Sequence, residues 1–363
     1  MCSNETIYES ECRKFISELE IPDGYELDIS VVYDAKSMTS GYNSAMLNSD
    51  AKYKIYIHHD VYLINRHLLK DLLDIFRDES IGMVGQVGVK VLPESGVMWG
   101  EKGQDKRIGK WIQNGINKTQ FFEGTDSTLP YDEVTAVDGL FIATQYDVKW
   151  RDDIFTGWDF YDVSQAYEFN KVGYKVVIPS NNMPWCLHDS KIMSLLNYYE
   201  YRNVFLREYC GRTVKNEEDN YALNCQRADI FVDKINEMLG SHTDKDFDVL
   251  CMLFNQKEFL SETARYSTKL MYAYVMMVII SKAKRGNEDK YVMDCYSIDE
   301  FMDKWRELKF LIFEIEFLGL EESIVKIRKK IKENNLSEIL IDELIDTSAL
   351  DKKLVKERIG YGK

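Results

Sequence analysis

Four places in the sequence put carboxylates and imidazoles where a folded chain can use them. The first is KYKIYIHHDVYLIN, residues 52–65. Tyr53, Ile55 and Ile57 alternate with Lys54 and Tyr56, which predicts a strand; the apolar run breaks at His58-His59-Asp60 and resumes at Val61. A carboxylate beside an imidazole at a strand end can hold a divalent cation against a diphosphate. Mg²⁺ takes one or two carboxylates and leaves other positions to phosphate oxygens, and imidazole suits Mn²⁺ as well. The same residues would also serve as a plain helix cap. Strand alternation turns His59 away from His58 and Asp60.

The second is AVDGLFIATQ, 136–145, where Asp138-Gly139 opens a strand. Glycine lets backbone approach a ligand closely with a carboxylate beside it, although an ordinary Asp-Gly turn has the same spelling. The third is FTGWDFYDVSQAYEFNKVGYKVVIP, 155–179. Asp159 and Asp162 stand one turn apart at a helix start and share a face, where the helix dipole favours them. A carboxylate in a cleft can also deprotonate a hydroxyl. Trp158, Phe160 and Tyr161 surround the pair, and aromatic faces suit sugar C–H surfaces. The fourth is PWCLHDS, 184–190, with His188 as a candidate ligand.

The elements that must position these residues alternate. SECRKFISELEI (10–21) reads as a helix, YELDISVVYD (25–34) as a strand, and GYNSAMLNSD (41–50) as a short helix. A helix at 65–80 and a glycine-rich strand at 81–92 follow. Later come a strand at 134–145, a helix at 161–173 and a strand at 174–180. This order predicts an α/β fold with a mainly parallel sheet, whose ligands sit at the carboxyl ends of strands. All five prolines lie at or before Pro184, and long amphipathic patterns take over after about residue 190. The expected organisation is therefore an α/β domain, 1–190, followed by an all-helical domain, 191–363, for packing, oligomerisation or partner binding.

A net charge of −15 argues against a nucleic-acid partner, because phosphate binding needs clustered Lys and Arg. A small anionic ligand held by a metal stays compatible with it. Seven cysteines with no CxxC pair fit reduced thiols rather than a disulfide framework. No signal peptide is read, and the longest uncharged apolar run, Leu270 to Ile280, is too short for a transmembrane segment. A cytoplasmic location, or a peripheral one at a membrane, is expected.

Taken in order, the carboxylate at a strand end, the Asp-Gly strand, the acidic helix start, the G-Y-K strand and the late His resemble the glycosyltransferases of the GT-A fold, in the family-2-like group. The resemblance covers about residues 1–190. His58-His59-Asp60 stands as H-x-D where that family has its DxD motif, and Tyr161-Asp162 stands where it has an E-D pair. The resemblance implies a Rossmann-like GT-A domain. It implies a metal-dependent, inverting transfer of a sugar from a nucleotide-diphosphate donor to a glycan, lipid-linked or protein acceptor. Asp162 would be the base, with Asp159 as the fallback, and Asp60 with His188 would hold Mn²⁺ or Mg²⁺. The nucleotide-sugar would be met by Ser3, Asn4, Asp34, Lys36, Tyr42, Asn43, His58, Asp138 and Gly139, and the acceptor by Trp158 and Tyr161. Met1-Cys2-Ser3-Asn4-Glu5 would be the last residues of the family's opening strand and its following loop. The rivals are a catalytically silent nucleotide-sugar or partner-binding protein on the same fold and, further off, a nucleotidyltransferase.

Overall fold

The computed structural model describes residues 2–3, 7–99, 107–116, 119–124, 129–190, 197–213, 221–241, 266–285, 297–333, 336, 338–347 and 351–360. It divides into two compact units. The first comprises 1–113, 121–189 and 195–217; the second comprises 114–120, 190–194 and 218–363.

The first unit is the α/β part. Its strands are β1 (Cys2–Ser3), β2 (Val32–Tyr33), β3 (Lys54–Ile57), β4 (Val61–Leu63), β5 (Ile81–Gly85) and β6 (Val87–Val89). They continue with β7 (Ile108–Asn114), β8 (Thr119–Glu123), β9 (Tyr131–Glu133), β10 (Ala136–Val137), β11 (Phe141–Thr144), β12 (Lys175–Pro179) and β13 (Cys186–His188). Its helices are α1 (Arg13–Ser17, entered through a π-helical turn at Tyr8–Cys12), α2 (Met38–Leu47), α3 (Leu68–Ile75), α4 (Tyr161–Lys171) and α5 (Tyr198–Cys210). One sheet runs β3-β11-β5-β12-β9; another runs β10-β6-β7-β13-β4 with β8 beside β7; β1 and β2 form a parallel pair. The α/β class is the expected one, but strand sense is mixed. The pairs β1/β2, β5/β12 and β7/β13 are parallel, whereas β3/β11, β5/β11, β9/β12, β4/β13, β6/β7 and β6/β10 are antiparallel. In the first sheet β11 runs between β3 and β5 against both, and β9 runs against β12; in the second, β6 runs against both β7 and β10 and β4 against β13.

Both faces of the first sheet are buried. Ile57, Leu72, Phe76, Val84 and Phe141 pack in one apolar cluster, and Tyr56, Met83, Ile142, Phe169 and Val176 in another. Burial on two faces explains the near-continuous apolar spelling of β5, β11 and β12. Helix α2 begins at a reciprocal cap in which Ser37 Oγ accepts from the Ser40 N–H and Ser40 Oγ accepts from the Ser37 N–H. Helix α4 begins differently: Phe160, buried, precedes it in the left-handed region at φ 59°.

The second unit contains α6 (Tyr221–Ser241), α7 (Thr268–Arg285), α8 (Ile298–Phe313), α9 (Glu321–Glu333), α10 (Glu338–Asp346) and α11 (Lys352–Ile359). They share an apolar core that includes Leu270, Met276, Phe301, Trp305, Leu344 and Val355. Among the described residues, no helix is long and apolar enough to cross a membrane.

Candidate active site

The break in apolar spelling at His58-His59-Asp60 is a tight turn between β3 and β4. Strand β4 pairs with β13 so that Val61 lies opposite His188, and the Asp189 N–H donates to the Asp60 carbonyl at 2.8 Å. A two-strand ladder thus brings His188 to Asp60 across more than a hundred residues of sequence. Asp60 Oδ1 stands 3.8 Å from His58 Nδ1 and 3.7 Å from His188 Nε2. The ligand atoms of all three lie within 4.8 Å of one another, and His59 is not among them.

Asp60 Oδ1 is buried and accepts no hydrogen bond. A buried carboxylate oxygen without a donor is costly unless something positive faces it. Burial pushes Asp60 up, but His188 and then His58 outweigh it and hold the carboxyl below its usual range. Burial also depresses His58 to about 4, so its imidazole is neutral near pH 7 and free to act as a ligand. The residues therefore fit a divalent cation: two imidazole nitrogens and one carboxylate oxygen face one point, a donor set that suits Mn²⁺ better than Mg²⁺.

His58 is held by Tyr161, whose Oη hydrogen-bonds His58 Nε2. For Nδ1 to ligate, Nε2 keeps the proton and donates it to Tyr161, the arrangement that fixes ligand imidazoles elsewhere. Tyr161 is itself wedged against Gly139, where any Cβ would land on the Tyr161 Oη and ring. Gly139 is thus required by close approach, as expected, but to a tyrosine of the protein. The Gly139 N–H donates to Asp162 Oδ2 at 2.7 Å, and the Val163 N–H to Asp162 Oδ1 at 2.8 Å. Burial first, and Asp138 second, push Asp162 up to about 7. Asp138 also acts electrostatically on His58. Asp159 is half-buried, is raised by that burial to about 6, and makes no hydrogen bond or ion pair among the described residues. Trp158 beside it is 53% exposed.

Not every sequence-predicted residue reaches this site. Tyr42 and Asn43, expected at the nucleotide, are core residues in this structure. Tyr42 is fully buried among Tyr56, Trp150 and Tyr161, and its hydroxyl donates to the Ile57 carbonyl. Asn43 is clamped by Trp150, donating to its carbonyl and accepting from its N–H, both at 2.9 Å. The pattern GYN misled because a helix face looks the same whether it meets a ligand or a buried tryptophan. Tyr161 presents no face to an acceptor, since it is 4% exposed and turned onto His58. Asp34 and Lys36 are exposed in the loop after β2, and Asp34 is the other non-glycine residue at positive φ among the described residues. The backbone of Ser3 pairs with Tyr33, next to that loop; Asn4 lies outside the described residues. The start of α2, which follows that loop, reaches the segment ahead of the two acids: the Met38 N–H donates to the Gly157 carbonyl at 3.0 Å, and Thr39 Oγ1 donates to the Phe155 carbonyl.

Two supports went unread in the sequence. Asp189, adjacent to His188, carries the backbone bond to Asp60. Tyr62 donates to Glu11 at 2.6 Å and more weakly to Asp189. The acidic residue directly after His188 in LHDS was the available signal.

Comparison with known proteins gives three results. The model of the Glycosyltransferase like family matches residues 1–209. A search of curated proteins returns no match. Solved structures similar in part include S. aureus TarS (TM-score 0.36, 11% identity, covering 83% of this chain and 53% of that one). They include S. aureus TarS 1-349 (0.30, 11%, 99% and 90%) and TarS 1-349 in complex with UDP-GlcNAc (0.32, 10%, 98% and 89%). The chain thus spans about half the length of the first of these. The assignment rests on the family match, which takes in the imidazole cluster, the Asp-Gly turn and both helix-start acids: this protein belongs to the glycosyltransferase-like family.

Proposed function

We propose that the α/β unit transfers a sugar from a nucleotide-diphosphate donor to an acceptor hydroxyl in one inverting displacement. The observation that carries this reading is the convergence of His58, Asp60 and His188 beside Asp138 and Asp162, inside the segment that matches the family. Asp162 takes the acceptor proton, and Asp159 is the fallback. The acceptor oxygen bonds to the anomeric carbon as the bond from that carbon to the β-phosphate oxygen breaks, and the electron pair leaves with the diphosphate. A carboxylate raised to about 7 is suited to this, since a general base works best with a pKa near the working pH. Mn²⁺ or Mg²⁺, held by Asp60 and His188 with His58, would neutralise the charge that develops on the leaving diphosphate. Asp138 and Gly139 border the sugar, Asp34, Lys36, Ser3 and Asn4 serve the nucleotide, and Trp158 offers its exposed face to a glycan, lipid-linked or protein acceptor. The helical residues 191–363 are the part assigned to packing, oligomerisation or partner binding.

The test is a melting titration with UDP- and GDP-sugars, UDP-GlcNAc among them, each with and without Mn²⁺. A ligand that binds only the folded state raises the melting temperature. The expected result is a rise that needs both nucleotide-sugar and metal and that Asp60→Ala abolishes. No shift with any nucleotide would favour the silent partner-binding reading.

A further inference from the structure

Helix α5 follows His188 in the chain and belongs to the first compact unit. Its first turn is fastened on two sides. On one side Tyr201 closes over Gly157, where a Cβ would land 2.6 Å from the Tyr201 ring, and the hydroxyls of Tyr201 and Thr156 lie 3.1 Å apart. On the other, the Arg202 stem and Leu206 pack on Gly96, which takes φ 75° in a turn closed by its N–H to the Pro93 carbonyl. The turn therefore joins the segment that carries Trp158, Asp159 and Phe160 to the one that carries Trp99.

Tyr198, the first residue of α5, stands at this junction. Its ring lies 4.9 Å from that of Phe160, the neighbour of Asp159, and 4.8 Å from that of Trp99. Tyr198 is 6% exposed, and its hydroxyl makes no hydrogen bond among the described residues. That hydroxyl is nonetheless not one of their enclosed polar atoms without a partner, so the ring is covered while the hydroxyl can be reached. Burial first, then the charges of Asp162 and Asp159, push the phenol up, with Arg202 opposing them. It therefore remains a protonated donor at neutral pH.

Asp159 is the complementary group: a half-buried carboxylate with no hydrogen bond or ion pair among the described residues. A carboxylate only accepts, whereas the phenol can donate. An alcohol hydroxyl satisfies both at once, donating to one and accepting from the other; an ether oxygen cannot.

We infer that Tyr198 is an acceptor-positioning residue: its hydroxyl and the Asp159 carboxylate grip a second hydroxyl of the acceptor, next to the one that gives its proton to Asp162. The acceptor is then a sugar or polyol with neighbouring hydroxyls, not an isolated alcohol such as a serine side chain. Trp158, exposed beside Asp159, supplies a face for its C–H surface. The assignment rests on the sugar-transfer reading with Asp162 as base.

The test compares the chain with its Tyr198→Phe variant, each with UDP and Mn²⁺ present. Binding of methyl glucoside, galactoside, mannoside and N-acetylglucosaminide, and of glycerol as the shortest such polyol, is titrated on the ligands' own NMR signals. At least one should bind saturably, and about tenfold more weakly when one of its hydroxyls is replaced by hydrogen. Tyr198→Phe should weaken the parent ligand by about the same factor and the deoxy ligand not at all, because the two changes remove the same contact. The Tyr198 hydroxyl bonds nothing among the described residues, so a purely structural role predicts no change in either. Equal binding by both proteins, losses that multiply, or no binding of any of these compounds overturns the assignment. The melting shift with UDP-GlcNAc and Mn²⁺ is read separately. Its absence sinks the sugar-transfer reading and this assignment with it, whereas a shift with unchanged polyol binding sinks this assignment alone.

Discussion

At the scale of single residues, Asp162 and Asp159 divide the evidence for the base. Asp162 is pushed to about 7 and accepts two backbone N–H groups, whereas Asp159 is pushed to about 6 and accepts none among the described residues. The rate of transfer should therefore rise with pH through an inflection near 7 if Asp162 is the base, and near 6 if Asp159 is. Asp162→Asn should keep metal-dependent donor binding and lower turnover by about 10²–10⁴, read as kcat with donor saturating. Normal turnover in that variant would move the role to Asp159. The same group leaves a mark on stability. A folded pKa raised above the unfolded value means that the folded protein holds the proton more tightly. Its contribution is present in full below the unfolded value near 4 and is lost as pH rises through about 7. Urea midpoints across that range should fall for the parent and fall less for Asp162→Asn. Tyr161 acts through His58. Tyr161→Phe should weaken Mn²⁺ affinity by about 10–100-fold, measured by metal titration of the melting temperature with donor present, while the apo protein stays folded.

At the scale of elements, the site depends on three junctions: the turn between β3 and β4, the turn after β10, and the start of α4. Gly139 ties the last two together, because its missing Cβ is the space that Tyr161 fills and its N–H holds Asp162. Gly139→Ala should cost about 1–3 kcal/mol in urea unfolding, as an overpacked methyl does, and should also weaken the Mn²⁺-dependent donor shift because Tyr161 cannot move without releasing His58. Phe160 just before α4, at φ 59°, is an outlier for a bulky residue and sits beside the same acids, where strain is tolerated for placement. The helices of the α/β unit and several strands were legible from alternation and period, but the strand expected over 25–34 forms only at Val32–Tyr33, those expected over 81–92 and 134–145 each break in two, and β7, β8 and β9 were not read. Strand partners were less legible still: β11 reads as a buried strand, and nothing in FIAT says that it will run antiparallel to both neighbours.

At the scale of the whole molecule, His58, Asp60, Asp138, Asp159, Asp162 and His188 all fall within the first compact unit. Trp305 is 1% exposed in the core of the second unit and stacks on Phe301 at 5.7 Å. Trp305→Ala should destabilise the helical unit by about 3–5 kcal/mol, followed by helix signal in urea, and leave the Mn²⁺-dependent donor shift in place at temperatures where both units are folded. Loss of donor binding in a folded Trp305→Ala protein would mean that the helical unit takes part in the site. The net charge of −15 does not conflict with an anionic donor, because the imidazole and carboxylate cluster sets the local field once a cation is held there.

The sequence alone determined the α/β class, the change to helices, and the order of chemical residues by which the family resemblance was recognised. Those features live in local period and composition, and a strand or helix buries its face by spelling alone. Only the tertiary structure decided which candidates meet. His58, Asp60 and His188 converge because β4 pairs with β13, a contact between segments far apart in sequence. Tyr42, Asn43 and Tyr161 turn inward because Trp150, Gly139 and His58 occupy the space around them. Burial and pairing are properties of what lies opposite a residue, and what lies opposite is set by the fold.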